Sequence, residues 1–214
     1  MTRLGISDST VRRLSVYLRL LRDLGRDGQG VVSSRELAER SGTTSAQVRK
    51  DLSLFGSFGK RGRGYDVDDL RATLEEILGL GRSWRVALAG VGKIGGALLG
   101  YEDLEGRGFE IVAAFDTDPD KIGRSVFGVE VEALDRLEDV VEDREVEMAI
   151  IATPPGAAQG VTDRLVEAGV RGLLNFAPVR LEVPSDVAVR SMDVALEMEG
   201  LSFALSYGGG EGDR

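Results

Sequence analysis

Cysteine and histidine are both absent from the 214 residues, and each absence removes a class of chemistry. Without cysteine there is no disulfide framework and no thiolate nucleophile. Without histidine the chain lacks the commonest general base, the side chain that switches near neutral pH, and the commonest metal ligand. A hydrolase triad or a zinc site would need unusual substitutes, so neither catalytic residues nor a metal are expected. No run approaches the roughly 18–20 uncharged apolar residues that a membrane span requires. The first residues are polar and Arg-rich, without the apolar segment of a signal peptide. A cytoplasmic protein with no membrane partner is the expectation.

A net charge of −9 argues on its face against nucleic acid, but the charge is unevenly distributed. Residues 1–65 hold 13 Lys/Arg against 6 Asp/Glu, whereas residues 66–214 hold 14 against 30. A basic head on an acidic body is the asymmetry expected when one domain meets phosphate and the other does not.

Within the head, Val11, Leu14, Leu18 and Leu21 recur at helical spacing, with Arg12, Arg13, Arg19 and Arg22 among the remaining positions. Gly25, Gly28 and Gly30 end that helix. Ser33 followed by Glu36, and Thr44 followed by Gln47, read as two capping boxes. They open a short helix over 34–40 and a second one through Val48, Leu52 and Phe55. Two short helices around a tight Ser-Gly-Thr turn have the spacing of a helix-turn-helix. In the second helix Val48 and Leu52 face inward, leaving Ser45, Gln47, Arg49 and Lys50 free for a major groove or its phosphates. Gly59, Lys60, Arg61, Gly62, Arg63 and Gly64 interleave cations with glycines, as suits a hairpin tip lying close to a DNA backbone. Together these features read as a winged helix. A further helix begins near Asp66 and places the domain boundary at residue 82.

The body opens on a buried strand, Arg85 to Ala89, which runs into Gly90-Val91-Gly92-Lys93-Ile94-Gly95. With 29 glycines in the chain, about half a chance match to G-x-G-x-x-G is expected, so its context must carry the reading. The glycines stand between a strand and a helix, where helix amides face a pyrophosphate. A second strand, Phe109 to Phe115, ends in Asp116, 21 residues after Gly95. That is the place of the acid that grips the adenosine ribose and repels a 2′-phosphate, which favours NAD(H) over NADP(H). Strand, helix and strand follow over 146–152, 157–168 and 172–176. Thr153 and the Asn175-Phe176-Ala177-Pro178 loop then fall at strand ends, where doubly wound sheets bind ligands. Phe176 and Pro178 stand equally as walls of a nicotinamide pocket or as plain packing. A helix from Asp193 to Ser206 is apolar around much of its circumference, so it docks into its own core or onto a partner subunit. A tail from residue 208 is expected to be disordered.

The fold class is therefore α/β: a winged-helix domain over 1–81, a Rossmann-type doubly wound parallel sheet over 82–190 and a C-terminal helix over 191–207, which is a dimerisation helix where it packs on a partner subunit and a core helix where it docks on its own chain. Two other functions fit a nucleotide fold. A dehydrogenase would find only Lys93, Tyr101 or a carboxylate as its acid/base and would leave the basic domain unexplained. A CoA-binding module is the second.

Gln47-Val48-Arg49-Lys50-Asp51-Leu52-Ser53, the run from Phe55 to Tyr65, the Gly90–Gly95 loop, Phe115-Asp116-Thr117-Asp118-Pro119 and Asn175-Phe176-Ala177-Pro178 strongly resemble the Rex family of redox-sensing repressors, over nearly the whole chain. The resemblance implies a homodimer on a palindromic operator, released by NADH and controlling fermentative or respiratory genes. It also implies a C-terminal helix exchanged between subunits. A conformational latch comes with the resemblance, and Arg19, Tyr101 and Asp193 match its places. Some members follow that Asp with a Phe that occupies the nicotinamide pocket; here the residue is Val194.

Overall fold

The computed structural model describes residues 6–56, 58 and 64–207. The chain divides into two compact units, Met1–Arg82 and Ser83–Arg214.

The first unit is helical. Helix α1 (Asp8–Arg26) is capped by Ser7, whose hydroxyl accepts the Thr10 N–H, and it buries Leu14, Tyr17, Leu18, Leu21 and Leu24. Strand β1 (Val31–Val32) leads to α2 (Ser34–Ser41) and α3 (Ser45–Ser53). Ser33 and Thr44 cap these two helices by accepting the Glu36 and Gln47 N–H groups. The side chains expected to reach back and complete the capping boxes turn elsewhere: Glu36 accepts from Gln29 and Arg40, and Gln47 donates to Asp51. Gly42 at φ +68° closes α2 in the left-handed conformation that favours glycine. Strand β2 (Tyr65–Asp66) pairs antiparallel with β1. The wing is therefore closed by a strand that precedes the helix-turn-helix, and the tip at 59–63, with Lys60, Arg61 and Arg63, lies outside the described residues. Helix α4 (Val67–Ile77), capped by Asp66, completes a core in which Val48, Leu37, Leu74 and Tyr17 are fully buried.

The second unit is a seven-stranded sheet: β3 (Trp84–Ala89), β4 (Phe109–Asp116), β5 (Ser125–Val126), β6 (Val129–Ala133), β7 (Met148–Ile151), β8 (Gly172–Asn175) and β9 (Ala188–Ser191). Their spatial order is β5-β6-β4-β3-β7-β8-β9, and every pairing but β5–β6 is parallel. Helices α5 (Lys93–Leu99), α6 (Leu137–Asp143) and α7 (Pro155–Glu167) connect β3 to β4, β6 to β7 and β7 to β8. Alternate residues of the strands feed opposite faces. Ala87, Ala89, Phe115 and Ile151 pack with α6 and α7, while Val86, Leu88, Ala114 and Ile150 pack with Leu98 and Leu99 of α5. The chain leaves β3 toward β4 on one side, and β7 lies on the other. The strand order thus reverses between β3 and β7, and a crevice opens beyond their carboxyl ends.

Sequence patterning gave no sign of the β5–β6 hairpin. Its two-residue loop, Phe127-Gly128, holds both φ angles positive, +48° and +84°, as a tight hairpin between right-twisted strands requires. Helix α8 (Val194–Tyr207) has no buried residue; Leu196, Met198, Leu201, Phe203 and Leu205 are all exposed on the chain. Among the described residues no helix is long and apolar enough to cross a membrane.

Candidate nucleic-acid interface and dinucleotide site

On α3, Val48 and Leu52 are buried and anchor the helix, so Arg49 and Lys50 project into solvent, with Ser45 half-buried. One guanidinium N–H of Arg49 donates to Ser34 Oγ at the start of α2, which steadies it. Gln47 departs from the expectation of a free reader: its Nε2 donates to Asp51 Oδ1 at 2.8 Å. Asp51, 1% exposed, is the centre of a polar cluster that the sequence concealed. Arg13 grips it through Nε and Nη2, both at 2.7 Å, and the Tyr17 hydroxyl donates to it at 3.0 Å. Burial alone would raise the Asp51 carboxyl. The donors Arg13, Gln47 and Tyr17, with the Arg13 charge, outweigh it and hold the group below the usual carboxylate range. Burial first, then the bond to Asp51, pushes the Tyr17 phenol up to about 12. Arg22 likewise pairs internally with Glu75. Two of the five α1 arginines thus serve the fold, and the basic balance of the head overstates what it presents to a polyanion.

In the second unit a cavity of about 530 Å³ opens at the strand-order reversal, within the roughly 300–1,000 Å³ usual for small-molecule sites. Gly90, Gly92, Lys93, Ile94, Asp116, Thr153 and Phe176 line it, as do Lys121, Pro154 and Pro178. The three glycines of the loop have three separate reasons. Gly90 sits at φ +94°, and a Cβ there would meet the Ala152 carbonyl oxygen at 2.7 Å. Gly95 lies against the Gly90 carbonyl so closely that no Cβ fits, which lets α5 pack on β3. A Cβ on Gly92 would meet nothing, because it would project into open space at the end of α5, where Gly92 is the N-cap and no side chain caps the helix. Only this last glycine keeps room for something outside the chain.

Two residues of the expected site spend polar groups inside the chain. The Val91 N–H donates to Asp116 Oδ2 at 2.9 Å, so it is not available to a pyrophosphate. Asn175 is fully buried, donating to the Val179 carbonyl and accepting the Ala177 N–H. It shapes the loop that presents Phe176 and Pro178 and does not line the cavity. Asp116 also accepts from the Asp118 N–H at 2.9 Å and from Lys121 Nζ at 3.0 Å. Burial opposes its ionisation, but these donors together hold the carboxyl below its ordinary range. Thr153 Oγ1 is buried at the cavity wall without a hydrogen-bond partner, an orphan that a polar ligand would satisfy. Lys121 belongs to no motif in the sequence, and its place five residues beyond Asp116 in a turn is the one signal that could have found it.

Of the three switch positions, Arg19 belongs to the first unit and Tyr101 and Asp193 to the second. Arg19 is exposed on α1. Tyr101 is 53% exposed with its hydroxyl 3.4 Å from Asp103 Oδ2. Asp193 Oδ1 accepts the Ala195 N–H at 2.9 Å and so caps α8.

Comparison with known proteins matches both units. Residues 5–53 match the family described as "Putative DNA-binding protein N-terminus", and residues 82–179 match "CoA binding domain". The redox-sensing transcriptional repressor Rex of Desulfitobacterium hafniense is 48% identical over 203 residues, covering 95% of this chain and 97% of that protein. Rex of Carboxydothermus hydrogenoformans is 49% identical over 92% of this chain and 95% of its own. Among solved structures, the Rex-family repressor RSP in complex with β-NAD+ and operator DNA aligns with a TM-score of 0.90 at 35% identity, over 94% of this chain and 93% of that one. RSP with β-NADH aligns at 0.85 and 34% identity, over 94% and 95%.

Proposed function

The chain belongs to the Rex family of redox-sensing transcriptional repressors, and from that membership we propose that it represses transcription as a cytoplasmic homodimer, holding a palindromic operator and releasing it when NADH fills the cavity. The observation that carries the reading is the pairing, on one chain, of a helix-turn-helix presenting Arg49 and Lys50 with a cavity built from Gly90, Gly92 and Asp116.

Arg49 and Lys50 stand on a helix whose opposite face is buried, so they enter a groove without disturbing the core. Lys60, Arg61 and Arg63 add phosphate contacts from the wing. In the cavity, Gly92 and the uncapped start of α5 would hold the pyrophosphate, Asp116 would take the adenosine ribose, and Thr153 and Phe176 would line the nicotinamide end. When bound, the dinucleotide supplies a nicotinamide ring that is cationic and flat in one redox form and neutral and puckered in the other. The CoA alternative meets an obstacle in Asp116, whose charge opposes the phosphate that coenzyme A carries on the same ribose.

Dimerisation is supported by α8, whose apolar residues are exposed along its length. The sheet face covered by α5 carries matching half-buried residues, Ile111, Val129 and Leu174. We assign α8 to exchange between subunits, so that Asp193 alternates between Arg19 of the DNA-competent state and Tyr101 of the NADH-bound state. A ligand shifts an equilibrium only by its differential affinity, and moving 1:99 to 99:1 takes about 5.5 kcal/mol.

Selection of random duplexes by the full chain with and without NADH tests the reading. It should yield a two-fold symmetric sequence, enriched only when NADH is absent. Enrichment of the same duplexes in both conditions would contradict the sensing role.

A further inference from the structure

Asp116 ends β4 with its carboxylate heavily engaged. Oδ2 accepts the Val91 N–H at 2.9 Å and Lys121 Nζ at 3.0 Å, and Oδ1 accepts the Asp118 N–H at 2.9 Å. A carboxylate offers about four acceptor positions, so about one remains, on Oδ1. Lys121 lines the same cavity as Asp116 and Thr117. Its side chain is 37% exposed, and its ammonium also lies 3.5 Å from Asp118 Oδ2. A cation therefore stands in the cavity wall beside the anion that is read as rejecting a 2′-phosphate, and that anion's own grip keeps the cation occupied.

We propose that Lys121 is a latent 2′-phosphate ligand, and that Asp116 selects against phosphorylated dinucleotides by sequestering Lys121 as well as by repulsion. The inference rests on the reading of this cavity as a dinucleotide site. Repulsion and sequestration have different consequences when Asp116 loses its charge. If repulsion is the whole effect, neutralising the carboxylate relieves NADPH by the same factor whether or not Lys121 is present. If sequestration contributes, neutralisation also frees an ammonium already within reach of the ribose position. Charge-assisted pairing with a dianion then adds to the relief. Asp118 keeps a weaker, longer hold on the same ammonium, so the release is partial and a second substitution there extends it.

Calorimetric titration of the full chain with NADH and with NADPH separates the cases. Wild type should prefer NADH. Asp116→Asn should gain NADPH affinity by about tenfold or more, the scale of one charge-assisted hydrogen bond. Most of that gain should vanish in Asp116→Asn/Lys121→Met. Lys121→Met alone should keep or widen the preference for NADH. An equal NADPH gain with and without Lys121 would overturn the proposal. Should Asp116→Asn fail to fold, Asp118→Asn provides the second route, with a smaller shift toward NADPH that again depends on Lys121. A Lys121-independent shift there also overturns the proposal. A wild-type chain that binds neither dinucleotide would instead overturn the reading of the cavity itself, an outcome distinct from binding with no role for Lys121.

Discussion

Asp51→Asn is the substitution whose effect the first unit specifies most fully. The side chain keeps its size, but its charge goes and an amide N–H group is brought against donors. Arg13 loses one of its two 2.7 Å contacts and keeps the other only to a neutral oxygen, and the Tyr17 hydroxyl and the Gln47 amide no longer share an ionised acceptor. Removing one member of a buried ion pair typically costs about 3–5 kcal/mol. The Arg13 side chain is 29% exposed and recovers part of its hydration, so about 2–3 kcal/mol is the better figure. Native-state hydrogen exchange, which reads local opening unit by unit, should show α1 and α3 amides exchanging about 30- to 150-fold faster. Sheet amides of the second unit should be unchanged. The pH profile follows from the same cluster. Asp51 is depressed in the folded chain, so its contribution is complete above the unfolded carboxyl value of about 3.9 and is lost as pH falls through the folded value. Tyr17, raised to about 12, contributes below about pH 10 and loses that contribution as pH climbs toward its folded value. Tyr17→Phe should remove the alkaline loss. Unchanged exchange in α1 and α3 on Asp51→Asn would refute the account of the cluster.

Gly95→Ala should destabilise the second unit by about 1–3 kcal/mol, measured by urea unfolding, because its Cβ meets the Gly90 carbonyl. Gly92→Ala should leave stability within about 0.5 kcal/mol of wild type and yet weaken NADH binding in calorimetry, since its Cβ points into open space. Asp193→Ala should cost α8 about 1 kcal/mol as a lost N-cap, seen by circular dichroism. With Arg19→Ala it should also uncouple NADH binding from DNA release, and a normal NADH response in both variants would eliminate the latch. Neutralising Lys60, Arg61 and Arg63 should lower the slope of log affinity for DNA against log salt by about 0.9 per lost phosphate contact.

What was legible in the sequence was local. Caps at Ser33 and Thr44, helical spacing through Val48 and Leu52, and a strand running into Gly90 each declare themselves within a few residues. Asp116 was legible because its distance from Gly95 is fixed by one helix and one strand. The rest depends on partners far along the chain. Asp51 sits in an Arg-Lys-Asp run that reads as solvated charge, and only its meeting with Arg13, 38 residues away, explains its burial. Strands β5, β6 and β9 are two to five residues long, and β6 alternates Val129 and Val131 with Glu130 and Glu132. Glu132 is nevertheless buried, paired with Arg136 and Arg144. Val91 lies in the Gly90–Gly95 loop and Asn175 in the Asn-Phe-Ala-Pro loop, yet their polar groups are consumed internally, which motif spacing alone cannot reveal.

Coupling of dinucleotide redox state to DNA affinity is the property on which the proposed function stands. Its most direct test is fluorescence-anisotropy titration of the selected operator at fixed salt, repeated with increasing NADH in the presence of saturating NAD+. The apparent Kd for DNA should rise at least about tenfold with NADH, a coupling of roughly 1.4 kcal/mol, while NAD+ alone leaves binding intact. Operator affinity that stays constant while NADH demonstrably occupies the protein would contradict it.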